Sequence, residues 1–182
     1  MKNILMVVGS ARQASFNKTV AEYIASQLEG KADVRFLDYK ELPFMNQDIE
    51  FPAPAAVVAV REEVKWADAI WIVTPEYNGS FPGYLKNMLD WISRPVEQGQ
   101  HGAPEFVAGK PVAVSGVGGA PATELTRKAL VELTQRMAMK PMESTVGFAL
   151  PGEAWGTGVL TLGDEHKALL DQQVADFLAY IG

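Results

Sequence analysis

The chain has 182 residues, a length that predicts one domain, covering residues 1–182, with a core large enough to need no covalent cross-links. It contains no cysteine, which excludes disulfides, iron–sulfur clusters, thiolate metal sites and a cysteine nucleophile, so any redox chemistry would need a cofactor. Its 16 basic and 22 acidic residues give a net charge of −6, which argues against nucleic acid and anionic membrane as partners.

Neither a targeting signal nor a membrane segment is expected. The apolar run at residues 4–8 is too short for a secretory signal, and no stretch approaches the roughly 20 apolar residues of a membrane span. We therefore expect a cytoplasmic protein.

Predicted strands and helices alternate along the chain. The five predicted strands are residues 4–8, 34–37, 69–73, 112–114 and 144–148. The five predicted helices are residues 20–28, 57–67, 84–92, 122–138 and 169–181. Each connection is long enough to hold a crossover helix, so we expect a mostly parallel sheet with helices on both faces. Such sheets bind ligands beside the carboxyl ends of their strands, which directs attention to three loops.

The first loop, residues 9–17, carries donor side chains at the start of a helix. Ser10, Arg12, Ser15 and Asn17 supply hydroxyl, guanidinium and amide donors beside the helix N–H groups, an arrangement that suits a phosphate dianion. Neither the P-loop pattern nor the dinucleotide glycine pattern is present. The alternative is that Ser15 only caps the helix and Arg12 is a solvated charge.

The second loop, residues 74–83, contains two prolines and two glycines. Its peptide groups at residues 76–79 and the ring of Tyr77 offer the edge-on hydrogen bonds and the aromatic wall that a flat heteroaromatic ring requires. The alternative is turn chemistry, in which Asn78 and Gly79 supply positive φ angles and Pro82 opens the next helix.

The third loop, residues 115–121, has three glycines that permit close approach of the backbone to a bound group. A glycine-rich stretch alone is not specific. Three loops of this kind at one edge of a sheet together predict a ligand site.

Two motifs resemble the NAD(P)H-dependent FMN reductase family, which includes quinone, chromate and azo-dye reductases. They are Gly9-Ser10-x-Arg12-x-x-Ser15-x-Asn17 and Pro75-Glu76-Tyr77-Asn78-Gly79-Ser80-x-Pro82-Gly83-x-Leu85-Lys86-Asn87-x-Leu89-Asp90-Trp91. The resemblance spans most of the chain. It implies a flavodoxin-like fold, a three-layer α/β/α sandwich whose five-stranded parallel sheet has the order 2-1-3-4-5.

The same resemblance implies FMN as cofactor, NADPH or NADH as co-substrate, a small-molecule electron acceptor, and a homodimer or homotetramer. It assigns the FMN phosphate to the segment that contains Ser10, Arg12, Ser15, Phe16 and Asn17. It assigns the isoalloxazine ring to Pro75, Glu76, Tyr77, Asn78 and Gly79, and ribityl or ring contacts to Ser115, Gly118 and Gly119. The loop at residues 94–109 aligns with no particular member of the family and is a candidate border of the ring.

No catalytic side chain and no metal ligand is predicted. His101 and His166 lie 65 positions apart with no cysteine in the chain, so a metal site is not expected. His166 is expected at the start of the last helix and His101 in a solvated loop. Three tryptophans are expected to pack on strands or helices and the fourth to lie in a surface or interface loop: Trp66, Trp71 and Trp91, then Trp155.

The predicted function is an enzyme that takes hydride from NAD(P)H onto FMN and then reduces an acceptor at the same open flavin face, with ping-pong kinetics. The acceptors considered are quinones, azo compounds, chromate and free flavin. One alternative is a flavodoxin-like FMN electron carrier that does not oxidise NAD(P)H; such carriers are usually more acidic and lack the arginine in the phosphate loop. Another is a relative that has lost its cofactor and acts as a scaffold.

Overall fold

A parallel sheet organises the structure, a computed structural model that describes all 182 residues. Four strands form its body: β1 (Lys2–Val8), β2 (Ala32–Phe36), β3 (Ala69–Val73) and β4 (Pro111–Gly118). The position after β4 is shared by two short strands, β5 (Lys140–Pro141) and β6 (Val146–Ala149), which both pair with β4 in parallel. The spatial order is β2-β1-β3-β4 followed by β5 and β6, so the predicted order 2-1-3-4-5 is confirmed. The strand predicted at residues 144–148 corresponds to β6, and the two-residue β5 was not predicted.

Helices cover both faces of the sheet. They are α1 (Phe16–Leu28), α2 (Ala55–Trp66), α3 (Gly83–Ser93), α4 (Glu124–Arg136), α5 (Gly152–Thr157) and α6 (Asp164–Ile181), with a 3₁₀ turn at Gln47–Ile49. The short helix α5 was not predicted, because its six residues are too few to show an apolar repeat. Trp155 therefore lies in a helix, and its expected place in a loop is wrong. None of the helices has the length and apolar content needed to cross a membrane.

The buried residues of β3 show why the strand is apolar throughout. Trp71 and Val73 pack into a core beneath α1 and α6, whereas Ile70 and Ile72 pack into a second core beneath α2, α3 and α4. Both faces of the strand are thus covered, which removes the alternation of polar and apolar residues. This arrangement confirms the predicted three-layer α/β/α sandwich.

Helix α4 begins later than predicted. Ala122 and Thr123 have φ angles of 51° and 59°, in the left-handed region, so the regular helix starts only at Glu124. The third loop therefore extends through Ala122 and Thr123, which do not form the first turn of the helix. Helix propensity alone did not reveal this, because alanine favours helix in isolation.

The segment at residues 94–109 lies at the end of the sheet formed by the amino ends of the strands, opposite the ligand loops. Helix α3 runs back against the strand direction, so its end at Ser93 and the start of β4 at Pro111 both lie at the amino ends of the strands. Lys110, which directly follows the segment, lies at the amino ends of the strands, since its ammonium group donates to the carbonyl oxygen of Ala67, just before β3. This segment, with its exposed His101, therefore lines none of the space between the three ligand loops.

Candidate functional site

A cleft of about 230 Å³ opens at the carboxyl ends of β1, β3 and β4. We call it the inner cleft. Of its 13 lining residues, 10 belong to the set that the sequence assigns to the cofactor. These are Ser10, Arg12, Ser15, Phe16, Asn17, Pro75, Glu76, Tyr77, Gly118 and Gly119, and the other three are Val117, Leu150 and Trp155. The structure thus brings all three ligand loops to one cleft.

Glycines allow the three loops to lie side by side. The Gly9 N–H donates to the Val73 carbonyl oxygen at 2.8 Å, and a Cβ at residue 9 would come within 2.4 Å of the Thr74 hydroxyl. A Cβ at residue 116 would lie 2.5 Å from the Thr74 carbonyl oxygen. Larger residues at these two positions would push the loops apart, since real Cβ atoms do not approach so closely.

The amino end of α1 faces the inner cleft without a side-chain cap. Ser15 is the N-cap residue, and its backbone oxygen accepts from the N–H groups of Lys18 and Thr19 at 3.0 and 3.2 Å. Its hydroxyl makes no capping hydrogen bond, and the first turn contains no acidic residue. The alternative that the Ser15 hydroxyl only caps the helix is therefore wrong. The positive helix end is left free to interact with an anion.

Arg12 is exposed, but it is not merely a solvated charge. Its guanidinium carbon lies 4.8 Å from the centroid of the Phe16 ring, and its Nη2 donates to the Gly158 carbonyl oxygen at 3.4 Å. Phe16 in turn meets Trp155 edge-on, with centroids 6.3 Å apart. The three side chains form one wall of the inner cleft, and cation–π attraction helps to hold the guanidinium there.

Asn17 is buried and joins α1 to β4. Its Nδ2 donates to the Val117 carbonyl oxygen at 2.9 Å, and its Oδ1 accepts from the Val117 N–H at 3.0 Å. One hydrogen on Nδ2 remains for a ligand. The main role of Asn17 in the structure is to fix the amino end of α1 against the end of β4.

The second loop contains a tight hairpin at residues 77–80. Tyr77 and Ser80 exchange backbone hydrogen bonds of 2.8 and 3.1 Å, and Asn78 and Gly79 have φ angles of 53° and 74°. This is the geometry of a type I′ turn, as the turn alternative predicts. Asn78 and Gly79 lie beyond the inner cleft and do not line it, whereas Tyr77, with 53% of its surface exposed, forms the rim of the cleft.

Glu76 connects the second loop to α4. Its Oε2 accepts from the N–H of Thr126, the third residue of that helix, at 3.1 Å. The side chain of the N-cap residue Thr123 makes no capping hydrogen bond, so the carboxylate of Glu76 takes the place of a cap. This contact fixes the second loop relative to the third.

A half-buried cation lies beneath the third loop. The guanidinium of Arg127 donates to the carbonyl oxygens of Ala122 and Thr145, each at 3.3 Å. Burial lowers the pKa of Arg127, and the nearby Glu124 and Glu76 carboxylates act in the opposite direction. The Arg127 guanidinium therefore joins the residues before α4 to the residue before β6.

Ser115 does not reach the inner cleft. Its side chain is fully buried, and its hydroxyl accepts from Trp71 Nε1 at 2.9 Å and donates to Gln173 Oε1 at 2.7 Å. Both hydrogen bonds point to α6 and the core beneath it. We therefore leave Ser115 out of the candidate ligand contacts.

Three residues of the inner cleft were missed by sequence reasoning: Val117, Leu150 and Trp155. Leu150 directly follows β6, and its N–H donates to the Gly118 carbonyl oxygen at 2.8 Å. The carboxyl-end rule that selected the other loops would have found it if applied to the last strand. Trp155 had no such signal, because its position depends on the unpredicted helix α5.

Comparison with known proteins gives one family. The family model described as NADPH-dependent FMN reductase matches residues 2–150. A quinone reductase of Pseudomonas putida KT2440 is 32% identical over 98% of this chain and 94% of its own length. A quinone reductase of Escherichia coli K12 is 36% identical over 76% of this chain and 74% of its own length. A 2-hydroxy-1,4-benzoquinone reductase of a Burkholderia species is 43% identical, with a match that covers 62% of this chain and 58% of that protein.

Solved structures extend the likeness to the whole chain. FerB from Paracoccus denitrificans, a flavoenzyme NAD(P)H:(acceptor) oxidoreductase, superposes with a TM-score of 0.85 and 29% identity, covering 100% of this chain and 97% of that one. The apo form of the NADH:FMN oxidoreductase EMOB gives a TM-score of 0.73 at 20% identity, covering 100% of this chain and 91% of that one. The second likeness concerns the fold alone.

Proposed function

We infer the function from family and site together: the chain belongs to the NADPH-dependent FMN reductase family, and we propose that it oxidises NAD(P)H with FMN bound in the inner cleft. The proposed acceptor is a quinone or a similar small molecule, such as an azo compound, chromate or free flavin. The names of the relatives support this acceptor class. We also propose that residues 1–182 form a single flavodoxin-like FMN-binding domain.

The observation that carries the proposal is the set of donors at the amino end of α1. The hydroxyl of Ser15 makes no capping hydrogen bond, Ser10 and Arg12 line the same cleft, and the first turn of α1 contains no acidic residue. This combination of hydroxyl, guanidinium and helix N–H groups suits a phosphate dianion. The FMN phosphate therefore fits here, with Asn17 contributing one N–H.

The rest of the inner cleft fits a flat ring. Its apolar walls come from Val117, Leu150 and Trp155, and Tyr77 stands at its rim. Gly118 has no side chain to cover its backbone. A larger residue would not fit there, because a Cβ would come within 2.9 Å of a Thr123 methyl group. Peptide groups of the second and third loops can then hydrogen-bond the edge of the isoalloxazine ring, while the apolar walls contact its faces.

The protein residues in this proposal bind and orient, and none is proposed as an acid, base or nucleophile. Bound FMN would supply the hydride acceptor and donor, because no protein side chain carries hydride and this chain has no cysteine for thiol redox chemistry. We propose ping-pong kinetics, because NAD(P)H and the acceptor would use the same open face in turn.

We further propose that the protein works as a cytoplasmic homodimer or homotetramer, with neither nucleic acid nor membrane as a partner. Large apolar side chains in solvent support association. Phe44, which is 87% exposed, and Val159, which is 66% exposed, are available for contact with a second subunit.

Steady-state turnover tests the proposed function. FMN-loaded protein should consume NADPH in the presence of a quinone well above the rate given by the same concentration of free FMN. Heat-denatured protein with its released FMN is the matched control. Consumption no faster than that of free FMN would contradict the proposal.

A further inference from the structure

A second cleft, of about 680 Å³, adjoins the inner cleft. We call it the outer cleft. The two clefts share Ser10 and Arg12, so the first loop is the partition between them. The far wall of the outer cleft is the segment at residues 36–40, which begins with the last residue of β2, and Tyr84 of α3 also lines the cleft. The FMN assignment leaves this space unused.

An aromatic pair lines the outer cleft. Tyr84 stacks on the buried ring of Tyr39, with centroids 4.1 Å apart and planes inclined by 20°. The Tyr39 hydroxyl donates to the Val8 carbonyl oxygen at 2.6 Å, which fixes that ring. Burial, and then the Asp38 carboxylate, raise the pKa of Tyr84 to about 12, so its hydroxyl stays protonated at neutral pH. An aromatic surface of this kind suits a planar base.

The charges of the outer cleft favour an anion. Its cations are Arg12, Lys18 and Lys40, and its anions are Glu22 and Asp38. Lys18 lies 3.6 Å from Glu22, and Lys40 lies 3.9 Å from Asp38, in ion pairs between exposed side chains. Such long, exposed pairs contribute little to stability, so each ammonium group can turn to a bound phosphate at low cost.

The distance between the clefts fits a dinucleotide. Strands lie about 4.8 Å apart in a sheet, so the ends of β2 and β4, which are three strand spacings apart, are separated by about 14 Å. An extended dinucleotide spans such a gap. One half can lie over the inner cleft near Tyr77 while the other reaches the segment after β2.

Building on the proposed function, we propose that the outer cleft binds the adenosine 2′-phosphate half of NADPH, with Lys40 as the residue that selects NADPH over NADH. The base would lie against the aromatic surface at Tyr84. Lys40 would meet the 2′-phosphate, and Asp38 would oppose it. Arg12, which lines both clefts, would lie between the FMN phosphate in the inner cleft and the phosphate groups of NADPH in the outer cleft.

Two substitutions of opposite effect test this assignment. Lys40→Glu should raise the KM for NADPH about tenfold and the KM for NADH less than twofold, because only NADPH carries the 2′-phosphate. Asp38→Asn should lower the KM for NADPH two- to threefold and keeps the oxygen that accepts from the Lys40 N–H. The FMN dissociation constant and the KM for the quinone should stay unchanged in both variants.

Lys2→Glu is the matched control, since it makes the same change of charge at the exposed amino end of β1. The clefts lie at the other end of the strands. It should leave both KM values unchanged. Equal changes for NADPH and NADH in Lys40→Glu, or no change in either, would overturn the assignment while leaving the proposed reductase function intact.

A binding measurement tests the outer cleft without turnover. Titration calorimetry of the FMN-loaded protein with adenosine 2′,5′-bisphosphate should show binding that Lys40→Glu weakens about tenfold and that Lys2→Glu preserves. Adenosine 5′-monophosphate should bind both variants with equal affinity. Absence of binding to the wild-type protein, or an affinity that Lys40→Glu does not change, would contradict the assignment even if NADPH oxidation were observed.

Discussion

Asn17 and Val117 lie 100 positions apart in the chain and are joined by two hydrogen bonds, one in each direction between the side-chain amide and the backbone. Both residues are buried. The pair holds the amino end of α1, where the phosphate is proposed to bind, against the end of β4, where the ring is proposed to lie. The two halves of the inner cleft are therefore fixed relative to each other by the fold itself.

Replacing Asn17 with alanine should lower the free energy of unfolding by about 2–3 kcal/mol, because the buried N–H and carbonyl of Val117 would both lose their partner. Urea denaturation measures the change. The control is Lys18→Ala in the same turn, whose ion pair with Glu22 is exposed and should matter little. A loss for Asn17→Ala no larger than the control's would show that the pair is not structural.

Replacing Arg12 with alanine should weaken FMN binding by one to two orders of magnitude, which corresponds to roughly 1.5–3 kcal/mol. Riboflavin lacks the phosphate, so its affinity should hardly change. Titration of flavin fluorescence with each variant gives both constants, and Arg136→Ala, an exposed arginine in the last turn of α4, is the control. An equal loss for both flavins would remove Arg12 from the phosphate site.

Replacing Tyr77 with alanine should weaken FMN and riboflavin by the same factor and alter turnover, because Tyr77 stands at the ring end of the inner cleft. The hairpin should persist, since its hydrogen bonds to Ser80 are made by the backbone. Tyr180→Ala, on the exposed side of α6, is the control. A greater loss for FMN than for riboflavin would place Tyr77 near the phosphate instead.

Replacing Glu76 with alanine should lower the free energy of unfolding by about 1 kcal/mol, the usual contribution of a helix cap. Glu76→Gln keeps an oxygen acceptor and should lose less than half of that amount. Hydrogen exchange of the Thr126 amide, followed by NMR, reports on the contact directly. Unchanged exchange in Glu76→Ala would mean that the carboxylate does not cap α4.

The sequence predicted the sheet and the location of the site because those signals are local and strong. The uninterrupted apolar runs of β1 and β3 indicate strands covered on both faces, and the carboxyl-end rule then selects the loops that meet at the inner cleft. The type I′ turn at Asn78 and Gly79 was also readable, since few residues tolerate two positive φ angles in succession.

The errors concern features set by tertiary contacts. Ser115 was predicted at the start of a loop, but it lies within β4, and its hydroxyl hydrogen-bonds Trp71 and Gln173 in the core. The alternation of side chains along β4 decides which face of the sheet the hydroxyl points to. Trp155 is brought to the cleft by the short helix α5, which has no repeat to detect. The location of the segment that contains His101 was left open, because it is decided by the direction of α3 and not by any local motif.

The most direct test of the account is the visible absorption of the FMN-loaded protein under anaerobic conditions. Addition of NADPH should bleach the flavin band rapidly, and subsequent addition of a quinone should restore it. Free FMN at the same concentration, treated in the same way, is the control. A protein that binds FMN but keeps its band after NADPH would contradict reductase activity and favour an electron carrier, and a protein that takes up no FMN would contradict the site itself.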